Sequence, residues 1–89
     1  MKATIYRRSK TIEITPVTKV KKTFFGDYIF IAKDSKGKFL LFECENKKYE
    51  IPQYAECWED YPEGENCEEL EYIRECGYDV DEYRNIIKI

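Results

Sequence analysis

The chain has 89 residues, enough for one small domain built on one hydrophobic core. Its apolar share of 43% is too high for a disordered tail despite 37% charged residues, and no stretch approaches the roughly 20 apolar residues that cross a bilayer. The net charge of −3 conceals a division: residues 1–42 carry ten Lys/Arg against three Asp/Glu, and residues 43–89 carry five against fifteen.

The first residues, Met1-Lys2-Ala3-Thr4-Ile5-Tyr6-Arg7-Arg8, hold no apolar run of the secretory kind. A cytoplasmic location is expected, the host cytoplasm if the chain is phage-encoded. The four cysteines, Cys44, Cys57, Cys67 and Cys76, are then expected as reduced thiols, mostly small hydrophobes of the interior. They form no CxxC pair and the chain has no His, so no zinc site, other metal site or cofactor is expected.

Residues 3–7 and 11–14 read as short β-branched strands on either side of the polar Arg8-Ser9-Lys10 turn. Pro16 ends the second, because proline donates nothing to a ladder. Residues 17–25 are ambiguous, a further strand at most, closed by Gly26-Asp27. Residues 27–32 and 38–42 flank Asp34-Ser35-Lys36-Gly37 and predict a hairpin. Both of its strands are apolar on both faces, which places them centrally with cover on each side. Glu45-Asn46-Lys47 predicts a second turn and residues 48–51 a third strand of the meander.

From Pro52 to Asn66 the texture becomes acidic and aromatic, punctuated by Pro62 and Gly64, and reads as loop with a short helical turn over 54–60. Asn66 followed three residues later by Glu69 is a capping-box pattern, and Leu70, Ile73 and Cys76 share a face, predicting a helix over 67–76 that stops at Gly77. Asp79 repeats the start signal. Val80, Tyr83, Ile86 and Ile87 then predict a second helix over 80–88. The expected fold is α+β: an antiparallel sheet of four to five strands from the N-terminal half, with two short C-terminal helices packed on it.

No Lys or Arg occurs from Tyr49 to Ile73, a window that holds nine acids. Carboxylates in a helix's first turn offset its dipole, which accounts for Glu68, Glu69, Asp79, Asp81 and Glu82. It does not account for Glu56, Glu59, Asp60, Glu63 and Glu65, which are interleaved with Trp58 and Tyr61. With Glu68 at their edge, these residues form the candidate partner-binding surface, acids for steering and rings for anchoring. A solvated loop, or one neutralised by Arg7, Lys21 and Lys22, is the ordinary alternative.

Other chemistries fit poorly. A calcium loop with Gly64 at its sixth position would put Tyr61 and Leu70 where oxygen ligands belong. A helix-turn-helix about Gly77-Tyr78-Asp79 would aim Asp81 and Glu82 at phosphates. Without His, both general-base and thiol-nucleophile chemistry lack their usual partner, and no enzyme is expected. The expected function is therefore a small acidic inhibitor or neutralising partner. It would present carboxylates to the basic groove of a nucleic-acid-binding protein, by analogy with anti-restriction or anti-CRISPR factors and antitoxins of phages and mobile elements. The alternative is a homodimer pairing basic and acidic halves. Nucleic-acid binding through Lys2, Arg7, Arg8, Lys10, Lys19, Lys21 and Lys22 is the weakest option, and no membrane partner is expected.

Overall fold

The computed structural model describes residues 2–5, 7–45, 53–60 and 67–89, with residues 53–56 and 60 described by backbone alone. In chain order the strands are β1 (Lys2–Ile5), β2 (Lys10–Pro16), β3 (Lys21–Lys22), β4 (Tyr28–Asp34), β5 (Phe39–Cys44) and β6 (Gln53–Cys57). A 3-10 turn (Trp58–Asp60), the helix α1 (Cys67–Glu75) and the strands β7 (Tyr78–Val80) and β8 (Ile86–Lys88) follow.

Five strands close on themselves in the order β1, β2, β4, β5, β6 and back to β1. Four of these pairings are antiparallel. The closing one, β1 with β6, is parallel, with Ala3 opposite Gln53 and Ile5 opposite Ala55. That parallel pair follows from counting: five strands laid alternately up and down bring the first and the last into the same direction. Closure also removes the unpaired edges that an open sheet of this size would expose.

Period-two alternation divides the central hairpin between two cores. Phe30 and Ala32 of β4 with Leu40, Phe42 and Cys44 of β5 face the barrel interior, where Ala3, Ile5, Ile14 and Cys57 complete the packing. Phe30 and Phe42 lie directly opposite each other and their rings stack at 5.6 Å. Ile29, Ile31 and Leu41 face outward and are covered by Trp58, Tyr72, Ile73, Tyr78 and Ile86. The two-sided apolar pattern of this hairpin thus has the cover on both faces that the sequence predicts.

The C-terminal region departs from expectation. Helix α1 forms and stops as predicted, with Gly77 at φ +88° and its N–H bonded to the Arg74 carbonyl at 3.1 Å. The second helix over 80–88 does not form, because β7 and β8 make a hairpin over that stretch. The reason is local. Asp81 Oδ1 accepts the N–H groups of Tyr83 and Asn85 at 2.8 and 2.9 Å, and Arg84 takes φ +63°, geometry that no helix holds. The molecule is α+β, but its described residues form one α-helix and eight strands rather than two helices and four to five strands. The helical turn expected over 54–60 is confined to Trp58–Asp60, and residues 53–57 form β6 instead. The strand expected over 48–51 lies outside the described residues.

Strands β2 and β3 share one edge of β4, and the chain leaves the ladder between them. There Val17 N–H still reaches the Ile31 carbonyl at 2.8 Å, but Ile31 N–H donates to Thr18 Oγ1 at 2.8 Å. Tyr72 Oη of α1 lies 2.7 Å from Thr18 Oγ1 and donates to the Lys19 carbonyl at 2.5 Å. Since Tyr72 has one hydroxyl proton, the Thr18 hydroxyl donates to Tyr72. One directional chain of hydrogen bonds thereby fastens the helix to the interrupted edge.

Candidate partner-binding site

Of the residues expected to contact a partner, Trp58, Glu59 and Glu68 have described side chains. Tyr61, Glu63 and Glu65 lie outside the described residues, and Glu56 and Asp60 are described by backbone alone. Trp58 is 4% exposed, part of the outer core. The Arg84 guanidinium carbon sits 3.8 Å from the Trp58 ring centroid, and Arg84 Nη2 donates to the Trp58 carbonyl at 3.2 Å. As placed, this ring is core and presents no exposed anchor.

Glu59 also turns inward. Strand β5 pairs with β8 at Phe39 and with β6 at Phe42, leaving Leu41 N–H between the two, and Glu59 Oε1 accepts it at 3.1 Å. Glu59 Oε2 accepts a hydrogen bond from the Cys57 thiol at 2.7 Å, and Arg8 Nη2 lies 3.8 Å from the same sulfur. Burial pushes the Glu59 carboxyl above its ordinary value of 4.5, against the lowering effect of the bonds from Cys57 and Leu41. This carboxylate completes a sheet.

Glu68 leads to a site that the sequence does not single out. Three hairpin turns of this protein share one construction, in which five residues close with a paired first and last residue and a left-handed fourth. In Asp34-Ser35-Lys36-Gly37-Lys38, Asp34 N–H meets the Lys38 carbonyl, Gly37 N–H meets the Asp34 carbonyl, and Asp34 Oδ1 accepts from Lys36 and Lys38. In Asp81-Glu82-Tyr83-Arg84-Asn85 the same bonds recur. The third turn is Thr23-Phe24-Phe25-Gly26-Asp27, with Thr23 N–H to the Asp27 carbonyl at 2.7 Å and Gly26 at φ +94°. It has no aspartate at its head. Instead the Glu68 carboxylate, reaching across from the first turn of α1, accepts Phe24 N–H through both oxygens, at 2.8 and 3.1 Å.

Phe24 and Phe25 are each 88% exposed, with ring centroids 5.5 Å apart in an edge-on arrangement. Beside them a cleft of about 280 Å³ is lined by Phe25 and Asp27, by Glu43 of β5, and by Cys67, Glu68 and Glu69 at the start of α1. No Lys or Arg among the described residues lines it. Among the described residues no three acids, cysteines or histidines come together in a way that could hold a metal ion. A cleft of this volume is at the small end for a cofactor and suits one or two side chains. The signal available in the sequence was the Phe-Phe pair at turn positions, where polar residues are the rule.

No helix of the described residues is long and apolar enough to cross a membrane. Neither a family model, a curated protein nor a solved structure matches the chain.

Proposed function

We propose that this protein is a small acidic binding partner that inhibits or neutralises a basic protein. It would occupy the Lys/Arg-lined surface with which that protein holds nucleic acid, as accessory factors of phages and mobile elements do. The observation that carries this reading is the cleft between the Phe24–Phe25 turn and the start of α1, whose described lining brings Asp27, Glu43, Glu68 and Glu69 together. Carboxylates held on a strand, a turn and a helix keep their spacing when a partner arrives, so little ordering cost attends binding. Like-signed charges gathered in a cleft steer an oppositely charged partner, and that steering weakens as salt is added.

The chain is immobilised and used to retain proteins from its native host at low and high salt, beside the double variant Glu43→Lys/Glu69→Lys. The expected result is a basic, nucleic-acid-binding protein that the wild type holds at low salt, releases at high salt, and that the variant does not retain. Retention of the same proteins by both, with no salt dependence, would remove the proposal.

A further inference from the structure

We infer that the Phe24–Phe25 tip is a two-ring plug that seats in an apolar socket rimmed by Lys and Arg on a partner protein. This rests on the acidic reading above and supplies the apolar half of the same contact. Two adjacent phenylalanines at 88% exposure are a standing loss for a molecule of this size unless something covers them. The turn itself does not require rings. The Asp34 turn of the same construction places Ser35-Lys36 at the equivalent positions, so the backbone forms with no ring there.

The tip is also held in place. Glu68 binds Phe24 N–H from another element, and Gly26 supplies the left-handed residue that closes the turn. A tip fixed before contact loses little freedom on binding, which is how a few exposed rings come to dominate an interface. The surrounding charge selects the occupant. Asp27, Glu43, Glu68 and Glu69 stand beside the rings, while the flanking Lys21 lies 3.9 Å from Glu75, leaving Lys22 as the cation of that strand without a carboxylate among the ion pairs described. An anionic lipid surface would be repelled by such a wall. A socket with a cationic rim would be attracted, with rings entering the socket and carboxylates meeting the rim.

The test uses a displayed library of random peptides selected on the immobilised full chain, with counter-selection on Phe24→Ser/Phe25→Ser. Both positions are exposed, so this variant should keep the wild-type thermal midpoint. Enriched peptides are expected to be basic with at least one large apolar residue, to bind the double-serine variant at least about 30-fold more weakly, and to shift amide resonances of residues 23–27. Phe24→Leu/Phe25→Leu should restore most of the affinity. An empty selection, or peptides that are uncharged or bind both forms alike, overturns the plug. Phe-dependent flotation with phosphatidylcholine/phosphatidylglycerol vesicles would reassign the tip to a lipid surface. A dimer in sedimentation that the serines dissolve would reassign it to a second copy of this chain. Binding abolished by Glu43→Lys/Glu69→Lys but untouched by the serines leaves the acidic reading and removes the plug, and the reverse result removes the acidic reading.

Discussion

Replacing Thr18 with Val tests how α1 is fastened to the barrel. Valine keeps the branched shape and deletes only the hydroxyl. Ile31 is fully buried, and its N–H points to the Thr18 hydroxyl because the chain has left the ladder at that position. An unmade buried donor costs about 1–3 kcal/mol, and Tyr72 loses the proton it accepts from Thr18, so a total near 2–3 kcal/mol is expected. For a domain of this length that corresponds to a fall of roughly 10–20 °C in the unfolding midpoint. Tyr72→Phe should cost less, about 1 kcal/mol, because the carbonyl it abandons belongs to exposed Lys19 and can turn to water. Urea unfolding followed by fluorescence of the single, buried Trp58 reads both, with an unchanged slope expected. Because the hydroxyls form one chain, the double variant should lose less than the sum by at least about 0.5 kcal/mol. A Tyr72→Phe loss larger than that of Thr18→Val, or strictly additive losses, would refute the directional chain.

Glu59→Gln probes the buried carboxylate. Its raised folded-state pKa means that the folded protein binds this proton more readily than the unfolded chain, so wild-type stability falls as pH rises above 4.5 towards the folded value. The Gln variant lacks that fall and should gain on wild type between acid and neutral pH, as thermal melts across pH would record. Asp81 has the opposite sign: the bond from Asn85 N–H holds it below 3.8, so its contribution is present above that value and is lost as pH drops through the folded one. Asp81→Asn should flatten that acid limb in the same melts. Asp34→Ala removes two bonds to backbone N–H groups and should cost about 1–2 kcal/mol in urea unfolding. Gly26→Ala meets no neighbouring atom, so its expected cost of about 1 kcal/mol is conformational, and broadened amide signals of residues 23–27 would accompany it.

Much of the local structure was legible in the sequence because it depends on neighbours. Asp34 and Gly37 specify their turn, the two-sided apolar strands beside it specify a central hairpin, and the helix over 67–75 ends where Gly77 allows a left-handed residue. The helix expected over 80–88 is absent for a physical reason. Val80, Tyr83, Ile86 and Ile87 repeat at helical spacing, but Asp81 and Asn85 are the same turn chemistry seen at Asp34 and Lys38, disguised by Arg84 standing where the other turns have glycine. Turn bonds competed with helix periodicity and won.

The candidate site was legible only as charge. That the second half of the chain is acidic, and that its acids exceed what helix starts require, follows from the sequence alone. Which acids face outward does not, since it is set by contacts between residues far apart in the chain. Closure of the barrel by β6 turned Trp58 into core and Glu59 into the partner of Leu41 N–H. Packing of α1 against the β3–β4 turn brought Glu68 to Phe24, 44 positions away, and raised two phenylalanines beside a wall of carboxylates. The charge division belongs to the sequence. The surface it makes was decided by the fold.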